Sequence, residues 1–135
     1  MTTSRDVVVK QLPEKVTLTQ AREIFLEMAP LLESDRPCLV FDFSEVLQLD
    51  SAGIEMMLRC MEEAMKRNGD LKLAALSPQV AVILELTRVD RLFEIYVTAS
   101  DAVESFHRFS VQTLRQSTPL GSAAQSKADA DRMSS

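Results

Sequence analysis

The chain has little of the residue types on which catalytic and cofactor sites depend. Its 135 residues include three glycines, one histidine and no tryptophan. Glycines at 53, 69 and 121 are too sparse for a phosphate-binding loop or a dinucleotide-binding fingerprint. The single histidine, His107, cannot form a histidine-rich metal site, and without a spatial partner it is not a convincing triad member. The sequence therefore predicts no enzyme: no catalytic residue, no metal site and no cofactor.

Positive charge and long apolar runs are also scarce. Fifteen lysines and arginines face twenty acidic residues, for a net charge of -5, and no basic cluster offsets the excess. Nucleic acid is therefore not an expected partner. The first residues hold no apolar signal-peptide core, and no apolar run approaches membrane-spanning length. The two cysteines, Cys38 and Cys60, lie within apolar patterns as reduced packing residues. We expect a cytoplasmic protein without direct membrane insertion, folded as a monomer or weak dimer.

What the sequence does contain is an alternation of strand-like and helix-like segments. Apolar or β-branched segments near residues 7–12, 39–43, 71–75 and 95–97 predict strands. Helical periodicity follows Thr19, Asp50-Ser51, Ser77-Pro78 and the Thr98–Ser100 region, which predicts four helices. The fold class is therefore α/β, with a mixed β-sheet flanked by about four helices. From residue 110 onward little can pack, so we predict one domain over residues 1–109 and a disordered tail over 110–135.

The most informative segment joins the central strand to the second predicted helix. Residues 49–54 read Leu-Asp-Ser-Ala-Gly-Ile and place Ser51 at the mouth of that helix. Free backbone N–H groups and the positive end of the helix dipole receive an anion there. A phosphate on Ser51 adds about −1.5 to −2 charges at neutral pH without disturbing the fold. From the residues alone two simpler roles stay open: Ser51 as an N-cap, and Gly53 as a site of close packing.

The helix that follows Ser51 is amphipathic, and its pattern leaves one further question. We predict a core stripe of Ile54, Met57, Leu58, Met61, Ala64 and Met65. Met56 and Cys60 lie beside this stripe. They either extend an exposed apolar strip toward a partner or pack under a neighbouring helix. Opposite charges at i,i+4 spacing, such as Glu55 and Arg59, predict ion pairs on the outer face.

The order of these elements, together with two motifs, resembles the STAS domain family. The first motif is the Phe-Asp-Phe-Ser segment at 41–44, which is similar to the family's Asp-Leu-Ser-like strand end. The second is Leu-Asp-Ser-Ala-Gly at 49–53. Segments 82–86, 90–93 and 102–103 also resemble the family's third helix, the turn after it and its closing helix. The resemblance covers residues 6–109.

A free-standing STAS domain of this length is similar to bacterial anti-sigma factor antagonists. That resemblance implies partner switching: the unphosphorylated protein binds an anti-sigma factor that is also a GHKL-type serine kinase, and phosphorylation releases it. Carried over to this chain, Ser51 is the phosphate acceptor. Asp50, Ala52 and Gly53 join Ser51 in the implied partner-binding surface, and the exposed-strip alternative adds Met56 to it.

The chain departs from the family where the first strands meet the first helix. Relatives often carry Gly-x-Leu-Asp there, whereas residues 14–17 read Glu-Lys-Val-Thr. The resemblance therefore assigns Thr17 to the partner-binding surface in place of an aspartate. A second function stays open: a non-catalytic STAS subunit of a membrane-transporter complex, or a scaffold in a signalling assembly.

Overall fold

The computed structural model describes the backbone of residues 6–115 and the side chains of residues 6–107. Strands and helices alternate along most of this part of the chain. Their bounds are β1 Val7–Gln11, β2 Lys15–Val16, α1 Leu18–Leu32, β3 Cys38–Asp42, β4 Gln48–Leu49, α2 Ser51–Lys66, β5 Asp70–Ala74, α3 Pro78–Leu86, β6 Ile95–Tyr96 and α4 Ala99–Arg115. A 3₁₀ turn at Val89–Leu92 separates α3 from β6.

The strands form two separate ladders. The main sheet has four strands in the order β1-β3-β5-β6, and β2 pairs with β4 outside it. The α/β class and the four flanking helices are confirmed. The strand directions differ from the mixed sheet that the sequence predicts, because every strand pair in residues 6–115 is parallel. Each parallel step needs a crossover, and α1, α2 and α3 lie in those crossovers.

The two faces of the main sheet are covered unequally. On one face α1, α2 and α3 enclose the larger core, into which Leu39 and Phe41 project from β3. On the other face α4 covers a smaller cluster that contains Val40 and Phe106. With both faces covered, β3 is buried at every apolar position, as its continuous apolar run predicts.

A buried lysine lies beneath α4. Lys72 on β5 is only 3% exposed, and its Nζ donates a hydrogen bond to Ser105 Oγ at 2.8 Å. The same ammonium lies 3.1 Å from Glu94 Oε1 and 4.2 Å from the centre of the Phe106 ring. The strand pattern around residue 72 does not predict this network, because Glu94 lies just before β6 and the other two partners lie on α4.

The start of α1 and the buried face of α2 differ from their predictions. The N-cap of α1 is Thr17 and not Thr19. The buried residues of α2 are Gly53, Met56, Met57, Cys60 and Ala64, whereas Met65 is exposed. The observed stripe is rotated toward Met56 because α1 packs along that flank. Periodicity alone does not tell which side of a broad apolar stripe a second helix covers.

Helix α2 ends in a turn formed by Asn68 and Gly69. Asn68 adopts a left-handed backbone at φ 66°, and the Gly69 N–H donates to the Ala64 carbonyl at 2.8 Å. This is a Schellman-type helix end. A side chain on Gly69 would collide with the carbonyl oxygen of Pro37, so glycine is required where the two loops meet.

The end of the chain is described only in part. Helix α4 continues to Arg115, six residues beyond the predicted domain boundary at 109. The rest of the predicted tail, residues 116–135, lies outside the described residues. In the part of the chain that the structure describes, no helix has the length and apolar character needed to cross a membrane.

Candidate partner-binding site

The β2–β4 ladder places the starts of α1 and α2 side by side. Val16 is opposite Leu49 in parallel register, so the next residues, Thr17 and Asp50, leave the ladder at the same edge. The Asp50 N–H also donates to the Val16 carbonyl at 3.4 Å. The structure thus brings Thr17 close to residues 50–53, which the family resemblance assigns to the same surface.

Asp50, and not Ser51, caps helix α2. The Asp50 Oδ1 accepts a hydrogen bond from the Gly53 N–H at 3.0 Å, and the Asp50 carbonyl accepts one from the Ile54 N–H at 3.0 Å. Ser51 is the first helical residue and is exposed. Within residues 6–107 its hydroxyl has no hydrogen-bond partner. The N-cap alternative for Ser51 is therefore wrong, because the neighbouring carboxylate already fills that role.

Gly53 holds the start of α2 close to β2. It is buried, and a Cβ at this position would collide with the Val16 carbonyl oxygen and lie 2.7 Å from Leu49 Cδ1. The close-packing role is confirmed. Gly53 therefore supports the start of α2 from the buried side, whereas Asp50 and Ser51 are exposed and Ala52 is half-exposed.

Thr17 contributes a neutral hydroxyl to the same edge. It is half-buried, and its Oγ1 donates to Gln20 Oε1 at 2.6 Å. Among the ladder-end residues 16–17 and 49–50, only Asp50 carries a charge.

An open groove between α1 and α2 begins beside Ser51. Its volume is about 370 Å³. Its apolar lining consists of Leu18, Ala21, Phe25 and Leu26 from α1, and Ala52 and Met56 from α2. Met56 is 4% exposed and Cys60 is fully buried, so both pack under α1 and do not form the exposed strip. Burial raises the pKa of the Cys60 thiol to about 12.

Two arginines and one glutamate complete the lining of the groove. The Arg59 guanidinium lies 4.5 Å from the centre of the Phe25 ring, across the groove on α1. The predicted Glu55–Arg59 ion pair is not found among the described residues. On α2 the pair that forms is Glu63–Lys66 at 3.0 Å. Sequence spacing within one helix could not reveal the Arg59 contact, because its ring partner belongs to another helix.

The remaining candidate from the sequence lies elsewhere. His107 is exposed on α4, which covers the other face of the main sheet. Within the described residues no group of three His, Cys, Asp or Glu side chains is arranged to hold a metal ion.

Comparison with known proteins gives a family and a set of similar folds. The sequence model of the STAS domain matches residues 1–102. An anti-sigma factor antagonist from Mycobacterium paratuberculosis is 25% identical, with a TM-score of 0.65 over 76% of this chain and 88% of its own. The unphosphorylated form of the anti-sigma factor antagonist SpoIIAA is 18% identical, with a TM-score of 0.68 over 79% of this chain and 93% of its own. SpoIIAA, a Bacillus cell fate determinant, is also known in a phosphorylated form.

The same fold occurs in a transporter. The STAS domain of a SulP transporter from Vibrio cholerae is 17% identical, with a TM-score of 0.63 over 83% of this chain and 88% of its own. At this identity the likeness concerns the fold alone, and so does the likeness to SpoIIAA.

Proposed function

Because the chain belongs to the STAS domain family, we propose that it is an anti-sigma factor antagonist that works by partner switching. In its unphosphorylated state it binds a cytoplasmic anti-sigma factor that is also a GHKL-type serine kinase. Phosphorylation of Ser51 releases it. The binding face consists of Thr17, Asp50, Ser51 and Ala52, with Gly53 and Met56 packed beneath. The chain acts by binding and not by catalysis.

The position of the Ser51 hydroxyl is the observation that carries this proposal. It is exposed at the first residue of α2, while Asp50 supplies the cap. A kinase can therefore modify Ser51 without removing a hydrogen bond that the helix needs. A phosphate at this end of the helix also lies at the positive end of the dipole, so the fold tolerates it.

Charge is the means by which the phosphate ends binding. It adds about −1.5 to −2 charges beside the carboxylate of Asp50, on the face that meets the partner. A loss of about 3 kcal/mol of binding free energy weakens the complex more than a hundredfold. Losses of this size are typical when a charge is placed in a buried interface without a partner.

Phosphorylation with the cognate kinase and ATP, followed by mass spectrometry, tests the acceptor. We expect phosphate on Ser51 and none in the Ser51→Ala variant. Ser77 is a matched internal control, since it also lies at a helix start but its Oγ accepts the Val80 N–H at 3.2 Å. Phosphate found only on other serines, including those beyond residue 115, contradicts the assignment.

The second candidate is a non-catalytic STAS subunit of a membrane-transporter complex or a signalling scaffold. It is supported by the similar fold of the SulP transporter domain. Co-purification separates the two functions. If the first is correct, a GHKL-type kinase should co-purify with the chain. If the second is correct, an ATP-binding transporter subunit should co-purify, equally with wild type and with Ser51→Asp.

A further inference from the structure

Large apolar side chains stand exposed along the groove between α1 and α2. Leu18 is 60% exposed and Leu26 is 71% exposed, and both line the groove. They are eight positions apart in α1, which corresponds to a rise of about 12 Å along the helix. Isolated exposed leucines are ordinary, but these two share one concave surface with the half-buried ring of Phe25.

The charged groups of the groove favour an acidic occupant. The groove is lined by two guanidinium groups, of Arg22 and Arg59, and by one carboxylate, of Glu55. Neither arginine forms an ion pair within the described residues, although the chain as a whole carries a net charge of -5. Arg59 is held against Phe25, and a stacked guanidinium keeps its N–H edges available for a carboxylate.

We propose that this groove is an interaction surface that docks an amphipathic helix of a protein partner, with carboxylates flanking the helix's apolar face. Apolar side chains at i, i+4 and i+7 would fill the space between Leu18 and Leu26, and the carboxylates would pair with Arg22 and Arg59. A small amphiphile fits less well, because small-ligand sites enclose most of the ligand and this groove leaves its leucines in solvent. The inference goes beyond the proposed function, since it does not depend on phosphorylation of Ser51.

NMR titration of the full chain with a designed peptide tests the surface without knowledge of the natural partner. The probe is a helical peptide of about 18 residues, with leucines at i, i+4 and i+7 and flanking glutamates. Its control has lysines in place of the glutamates. We expect the acidic peptide to shift the amide signals of residues 18–26 and 52–59. The basic peptide should bind at least about tenfold more weakly.

Paired variants locate the binding energy. The double variant Arg22→Glu, Arg59→Glu should bind the acidic peptide about tenfold more weakly than wild type. Arg91→Glu, in the 3₁₀ turn against α3, should leave the affinity unchanged. Leu26→Ala should also lower the affinity for the acidic peptide. Leu86→Ala, which changes a similarly exposed leucine on α3, should leave that affinity unchanged. Equal binding of both peptides, signal shifts outside the groove, or no shifts at millimolar peptide overturn the proposal. Stronger binding of laurate at the same signals assigns the groove to a small amphiphile and also overturns it.

Discussion

Asp50 and Ser51 divide two tasks at the start of α2. The carboxylate of Asp50 satisfies the Gly53 N–H, and the Ser51 hydroxyl is left exposed. The sequence could place a candidate acceptor at the helix start, but it could not assign the cap. Aspartate and serine are about equally good N-caps, so a one-residue shift of the helix boundary exchanges their roles.

The first prediction separates these two residues by stability. Asp50→Ala should lower the free energy of unfolding by about 1 kcal/mol, because the Gly53 N–H loses its acceptor. Ser51→Ala should change it by less than about 0.5 kcal/mol, as is usual for an exposed site. Urea unfolding of both variants gives the comparison. A larger loss for Ser51→Ala would mean that the serine caps the helix.

Both cysteines should be unreactive in the folded protein. Cys38 and Cys60 are buried thiols that form no disulfide, and only the thiolate is a good nucleophile. With its pKa raised to about 12, Cys60 remains a thiol at neutral pH. A chromogenic thiol reagent should label neither residue until denaturant is added. Reductant should leave the melting temperature unchanged. Rapid labelling of the native protein would contradict this packing.

At the scale of elements, the β2–β4 ladder creates the site, yet it is the least visible element in the sequence. β4 has only two residues, Gln48 and Leu49, and neither alternation nor an apolar run marks it. Its partner β2 is equally short. Their parallel register is a tertiary contact, and for this reason the proximity of Thr17 to Asp50 followed from the family resemblance and not from local pattern.

The docking of α4 supplies a prediction for the second face of the sheet. Ser105→Ala should cost about 1–3 kcal/mol, because the buried ammonium of Lys72 loses an acceptor. Lys72→Met should cost less, since an apolar replacement removes the charge together with its need for partners. In the double variant the two losses should be less than additive by at least about 0.5 kcal/mol, measured by urea unfolding. Strict additivity would show that the Lys72–Ser105 contact contributes no coupling.

At the scale of the whole molecule, alternating strands and helices were enough to predict the α/β class. They were not enough to predict that all strand pairs are parallel, because the short edge strands β2 and β6 carry too few residues to indicate direction. The rotation of α2 and the Arg59–Phe25 contact likewise depend on how α1 packs beside α2. The groove could not be predicted for the same reason, since both of its walls are needed to define it.

The proposed switch acts on this whole molecule through a change of charge on a fold that stays intact. Aspartate at position 51 is favourable in the first turn of a helix, so Ser51→Asp should melt at or slightly above the wild-type temperature. Circular dichroism melts provide this control. Ser100→Asp is a matched variant, because Ser100 is also exposed in the first turn of a helix, but α4 lies on the other face of the main sheet.

Calorimetric titration of the cognate kinase with unphosphorylated and Ser51-phosphorylated protein tests the central claim most directly. We predict that phosphorylation weakens binding more than about a hundredfold, equivalent to about 3 kcal/mol. Ser51→Asp should weaken it partially, because one planar carboxylate carries less charge than a phosphate, and Ser51→Ala and Ser100→Asp should bind as wild type does. Equal affinity of the phosphorylated and unphosphorylated proteins would contradict partner switching at Ser51.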